Sequence, residues 1–188
     1  TGAVEEHSFG NLFLAALEKT LGGFDRAVEE ASRILRVRGA VVPVTLDPVR
    51  LHAEYEDGSV AHGETNIDIP KHNAQLRIVR TWLEPKGVLN PKAREAIVDA
   101  DLIVIGPGDL YTSINPNLLI DGMREALCEP RVPKAYVVNV MTKPGETHGF
   151  ATHHFVEEVA RHIGKNMLTH VLYNTAMQIL GPFSQLRK

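Results

Sequence analysis

The tract Ile105-Gly106-Pro107-Gly108-Asp109-Leu110-Tyr111-Thr112-Ser113-Ile114 joins an apolar run, Leu102–Ile105, to a helix expected from Pro116. Two glycines let the backbone approach a ligand closely. The amides and hydroxyls of Tyr111, Thr112 and Ser113 suit an anion at a helix start. The tract is neither G-x-G-x-x-G nor a Walker loop, since no Gly-Lys-Ser/Thr follows. A plain strand-to-helix turn with a capping hydroxyl is the alternative reading. A second tract, Met141-Thr142-Lys143-Pro144-Gly145-Glu146-Thr147-His148, follows the apolar run Ala135–Val140. Glu146 and Thr147 offer an acceptor and a donor, and Lys143 an ammonium for a phosphate. The alternative is a Pro-Gly turn with a helix-capping threonine. A third, His7-Ser8-Phe9-Gly10-Asn11, opens a helix. There Ser8 or Asn11 caps, or the amides face a ligand.

Nine histidines invite a metal. His153 and His154 are neighbours in a helical stretch, which predicts different faces. Neither H-E-x-x-H nor a zinc-type Cys/His spacing occurs, so no metal ligand is assigned. Cys128 falls late in a helix and reads as a small buried apolar residue. Ser8 lacks the G-x-S-x-G elbow, which leaves a hydrolase triad unsupported.

These tracts need elements to hold them. Helical spacing of apolar residues predicts helices over Asn11–Leu21 and Phe24–Leu35, separated by Gly22-Gly23. Val41–Val44 reads as a short strand. Alternation through Leu51, Ala53 and Tyr55, with Asp57-Gly58 as a tight turn, predicts a β-hairpin over Arg50–Glu64. Leu76–Leu83 is a further strand, and Asn90-Pro91 caps a helix reaching Ala100. Leu102–Ile105 and Ala135–Val140 are apolar strands with a helix Pro116–Leu127 between them. A helix ending near Gly164 and a strand Leu168–Tyr173 follow. Apolar strands alternating with helices predict a parallel sheet covered on both faces. Ligands of such sheets sit outside the carboxyl ends of the strands, where the first two tracts fall. The hairpin is expected to lie apart from that edge, and the Tyr111 ring at the surface over the site.

The chain has 188 residues, 44% hydrophobic and 23% charged, with a net charge of −3, as expected of one globular domain without a nucleic-acid stripe. A lone cysteine forms no internal disulfide and fits a reducing compartment, the cytoplasm. No apolar run approaches a membrane span and no secretory signal opens the sequence. Thr1 in place of Met, so near a helix, suggests a piece of a longer protein.

His7-Ser8-Phe9-Gly10-Asn11-Leu12-Phe13-Leu14, Gly63-Glu64-Thr65-Asn66-Ile67, Gly106–Ile114 with Pro116-Asn117-Leu118-Leu119, and Pro144-Gly145-Glu146-Thr147 occur in this order. Together they resemble the CofD-like family, more closely its bacterial gluconeogenesis-factor branch, from about His7 to Tyr173. The residues after Asn174 match less closely, and Asn115 stands where an aliphatic residue is expected. The resemblance implies a Rossmann-like three-layer α/β/α sandwich with an inserted hairpin. It implies one domain over residues 1–188, incomplete at both ends and lacking the family's N-terminal Gly-rich loop. It implies a sensor of nucleotide sugars, notably UDP-N-acetylglucosamine, linking carbon metabolism to cell-wall synthesis and cell shape. Such a sensor needs no cofactor. The resemblance also implies partners in wall-precursor synthesis, self-association, and a regulatory phosphorylation for which Thr152 is the candidate. The other branch, 2-phospho-L-lactate transferase, implies magnesium, a guanosine-linked phospholactate donor and a deazaflavin acceptor. Ligand contacts are expected from Ser8, Asn11, Gly106, Gly108, Asp109, Tyr111, Thr112, Ser113, Asn117, Glu146 and Thr147, with the diphosphate near Gly106 and Gly108. No catalytic residue is assigned.

Overall fold

The structure, a computed structural model, describes residues 8–69 and 75–175. His7 and the expected domain ends lie outside these residues. Helix α1 (Phe9–Leu21) starts at Ser8, whose Oγ accepts from Asn11 N at 3.3 Å, and stops at Gly22 in the left-handed region. Helix α2 (Phe24–Ile34) buries Ala27, Val28 and Ala31. Val41–Val44 is not a strand. Pro43 has no N–H for a ladder, and the segment instead gives its Pro43 and Val44 carbonyls to the side chain and backbone of Asn90.

Strand β1 (Arg50–Tyr55) pairs with β2 (Val60–His62) across the expected Asp57-Gly58 turn. Gly58 takes φ +82°, and Asp57 Oδ1 accepts from Ser59 N and Oγ. A short helix α3 (Glu64–Asp68) follows. Strand β3 (Ile78–Glu84) pairs with the other edge of β1, giving an antiparallel sheet β2-β1-β3. Its inner face carries Leu51, Ala53, Tyr55, Thr81 and Leu83; its outer face carries His52, His62, Arg80 and Trp82.

Helix α4 (Pro91–Val98), capped by Asn90, leads to β4 (Ile103–Ile105). The expected Pro116–Leu127 helix is three pieces: a π-helical turn at Leu110–Ile114, α5 (Asn115–Leu118) and α6 (Met123–Cys128). The break has a cause. Asp121 leaves the helix to bridge residues 87–89, donating its N–H to Gly87 O and accepting from Leu89 N, and Gly122 turns the chain at φ +89°. Strand β5 (Lys134–Val137), helix α7 (Thr152–Ile163) and strand β6 (His170–Leu172) complete a parallel sheet, β4-β5-β6. The architecture is mixed α/β, with the parallel half and the hairpin half sharing one core around Tyr55, Leu83, Ile114, Tyr136, Phe155 and Ile163. Coverage on both faces does not extend to the edge strand: Val104 of β4 is exposed. Cys128 is exposed too, at the last turn of α6, not buried as its neighbours suggested.

Candidate functional site

The two chemical tracts meet at the carboxyl ends of β4 and β5. Gly106 leaves β4 at φ +80°, and a Cβ there would stand 3.0 Å from Val137 O, so only glycine fits this approach of the two strands. Residues 106–109 then divide two hollows. On one side Gly106, Gly108, Ser113 and Asn117 line a groove of about 340 Å³ with Ile103 to Ile105 of β4 and Met123. On the other, Pro107 and Asp109 face Val138 to Lys143 across a crevice of about 560 Å³. The crevice lies where the end rule for parallel sheets places a ligand.

Lys143 is the electrostatic centre of this edge. Its Nζ bonds Asp109 at 2.8 Å, Glu146 at 2.9 Å and also Asp68. The three carboxylates each present an oxygen within 4.8 Å of the others. Burial opposes the charge on Lys143, but its bonds to Asp109, Asp68 and Glu146 outweigh it and raise its pKa. Glu146 is 2% exposed, and burial raises its pKa despite Lys143. Its Oε1 accepts from Thr112 Oγ1 at 3.4 Å, while Oε2 accepts no hydrogen bond. Tyr55 stands close enough for the Glu146 charge to add to burial, and its hydroxyl is pushed up to about 12. Thr147 fixes the loop: its Oγ1 accepts from Lys143 N at 2.9 Å, and its own N–H donates to Lys143 O.

Several expectations change here. Lys143 is held by three carboxylates, so its ammonium is engaged within the protein. The hairpin does not lie apart: β1 brings Tyr55, and α3 behind it brings Asp68, to this cluster. Tyr111 is 3% exposed, not a surface ring. The π-helical turn carries it inward against the edge of Phe150, with ring centroids 6.4 Å apart, and burial raises its pKa. His153 and His154 do not point apart. His154 folds back to accept from Ala151 N at 2.9 Å, bringing the two rings to 3.9 Å.

The expected contacts therefore sort by place. Asp109, Thr112, Glu146 and Thr147 gather around Lys143. Gly106, Gly108, Ser113 and Asn117 line the groove beside β4, where Asn117 Nδ2 donates to Ser113 O. Ser8 and Asn11 form the α1 cap and line neither hollow. The roles of three residues escaped the sequence reading. Asp68 lies one residue beyond the Gly63–Ile67 motif. Asn115, fully buried, donates to Glu158 Oε1 at 3.2 Å, so its departure from an aliphatic residue is structural. Burial opposes the Glu158 charge, but His162, Arg161 and Asn115 together lower its pKa. Asn139 is the third. It lines the crevice, and its Oδ1 is buried and accepts no hydrogen bond within the protein. One polar residue inside the run Val137-Val138-Asn139-Val140 was the available signal.

Comparison with known proteins agrees with this architecture. A family model described as 2-phospho-L-lactate transferase CofD matches residues 1–182. The chain is 43% identical over 182 residues to a putative gluconeogenesis factor of Aquifex aeolicus, covering 95% of this chain and 54% of that protein. It is 43% identical over 170 residues to the gluconeogenesis factor of Bacillus subtilis, covering 90% and 52% respectively. A crystal structure of a UPF0052-family protein from Bacillus halodurans superposes with a TM-score of 0.86 at 37% identity, over 95% of this chain and 57% of that one. The chain spans about half the length of the curated relatives it matches.

Proposed function

We propose that this chain, which belongs to the CofD family, carries the ligand crevice of a nucleotide-sugar sensor with UDP-N-acetylglucosamine as its ligand. The observation that supports this is Asn139. A buried amide oxygen without a hydrogen-bond partner is costly, about 1–3 kcal/mol, and the residue that carries it lines a crevice at the carboxyl ends of parallel strands, so a small turn of its side chain would offer the oxygen to a ligand. An acceptor there matches the donors of a nucleotide sugar: a ribose or sugar hydroxyl, a base imide N–H, or an acetamido N–H. The diphosphate belongs near residues 106–109, the turn that separates the crevice from the groove beside β4. Relatives called gluconeogenesis factors support a role in carbon metabolism, with wall synthesis and cell shape as the processes such a sensor would adjust. Among the described residues no helix is long and apolar enough to cross a membrane, and the lone cysteine supports a reducing compartment such as the cytoplasm.

The carboxylates Asp68, Asp109 and Glu146 favour considering the second reading, a magnesium-dependent phospholactate transferase. Their oxygens are the donors a hard cation takes. Yet Lys143 Nζ bonds all three. With the ammonium seated there the residues do not fit a divalent cation, and no transfer step is derived through one. Calorimetric titration of the full-length protein with UDP-N-acetylglucosamine and with GDP separates the readings. Tighter binding of the UDP sugar is expected. Tighter GDP binding, with phospholactate transfer to a deazaflavin, would establish the transferase instead.

A further inference from the structure

The outer face of the antiparallel sheet carries a second constellation, remote in kind from the carboxylate cluster. His52 of β1 and His62 of β2 are directly opposed in register. Their Nδ1 atoms face each other at 2.6 Å, with the rings edge-on at 82°. We infer that His52 and His62 form a two-histidine chelate for a borderline divalent transition-metal ion of the nickel, copper or zinc kind.

At this distance one ring donates its N–H to the other, and a cation can take the place of that proton between the two nitrogens. The surroundings prepare His52 to be a ligand. Its ring is buried and stacks on Trp82, with centroids 5.3 Å apart and planes 15° from parallel. The Arg80 guanidinium also lies over the Trp82 ring, 4.7 Å from its centroid, and Arg80 is itself held by Glu54. The His52 ring is thus fixed in place before any ion arrives. Its Nε2 faces the Glu84 carboxylate, with Oε2 3.9 Å away. A carboxylate behind the far nitrogen of a metal-bound histidine is the usual supporting contact. His62 is the adjustable partner: it is exposed, while its backbone is pinned by Asn66 Nδ2 donating to its carbonyl. Metal–nitrogen bonds of about 2.0–2.1 Å place two nitrogens roughly 2.9–3.4 Å apart. The His62 ring therefore swings outward by several tenths of an ångström to admit the ion. Imidazole nitrogens select nickel, copper and zinc over magnesium and calcium. Binding would also cross-link β1 to β2 just before α3, whose Asp68 holds Lys143.

Trp82 is the only tryptophan of the chain and lies against the proposed ligand, which provides the assay. Ni²⁺ added to the full chain should quench tryptophan fluorescence to saturation at one equivalent. EDTA should reverse the quenching, and Zn²⁺, which does not quench, should compete; Mg²⁺ should do nothing. His62→Ala changes an exposed side chain and should raise the half-saturating Ni²⁺ concentration at least about tenfold, with Glu84→Gln giving a smaller rise. His154→Ala, which alters the other close histidine pair, should leave the titration unchanged. Absence of saturable quenching, or quenching that survives in His62→Ala with the same midpoint, would overturn the assignment.

Discussion

Replacing Lys143 by methionine tests whether its ammonium holds the site edge together. The substitution keeps the unbranched shape of the side chain, one atom shorter, and removes the charge that Asp68, Asp109 and Glu146 share. Breaking a buried charge pair by removing one partner costs about 3–5 kcal/mol. Lys143 is 30% exposed, and Asp68 and Asp109 are 40% exposed, so water recovers part of that and about 1–3 kcal/mol remains. For a chain of this size that lowers Tm by roughly 3–10 °C. The pH dependence follows from Glu146. Burial already raises its pKa, and losing Lys143 removes the main opposing influence. A carboxyl whose folded pKa is raised stabilises below its unfolded value and loses that stabilisation as pH rises through the folded value. The deficit of Lys143→Met relative to the parent should therefore be larger at pH 8 than at pH 5. Adding Glu146→Gln should recover part of it at pH 8. Denaturant unfolding at the two pH values measures both. A variant as stable as the parent, or a deficit that does not change with pH, would refute the reasoning.

Tyr111→Ala should destabilise by about 3–5 kcal/mol, as expected for a core aromatic, while Tyr111→Phe should cost far less; thermal unfolding of the two variants checks this. Burial pushes the Tyr136 hydroxyl up to about 12. The unfolded chain ionises first, so stability is full below about pH 10 and falls as pH rises towards 12. Tyr136→Phe should lose less stability over that interval, measured by denaturant midpoints from pH 9 to 11.

The order of strands and helices was largely legible because apolar periodicity and turn residues act locally. The Asp57-Gly58 hairpin, the Asn90-Pro91 helix start and the two loops at one sheet edge all follow from such signals. What was missed depended on distant partners. Nothing within Val41–Val44 reveals that its carbonyls serve Asn90. Nothing within Asn117–Leu127 reveals that Asp121 is drawn to residues 87–89. The same holds for the site. Lys143 looked like a free cation until Asp68, 75 residues away in sequence, was placed beside it. Tyr111 reads as a surface ring because a loop exit from a strand is usually exposed; the π-helical turn reverses its direction. Asn139 was visible as a polar interruption of an apolar run, but the lack of a partner for its oxygen is a property of the packed fold.

Asn139→Leu tests most directly whether Asn139 receives a ligand at the carboxyl-end crevice. The substitution replaces an unpartnered buried acceptor with an apolar group of similar volume. Without ligand the variant should be as stable as the parent or more so, because the cost of the lone acceptor, about 1–3 kcal/mol, is removed. Its affinity for UDP-N-acetylglucosamine, measured by calorimetry in the full-length protein, should fall about tenfold or more, the loss of one such hydrogen bond. Unchanged affinity together with a clear drop in stability would contradict the account and make Asn139 a structural residue.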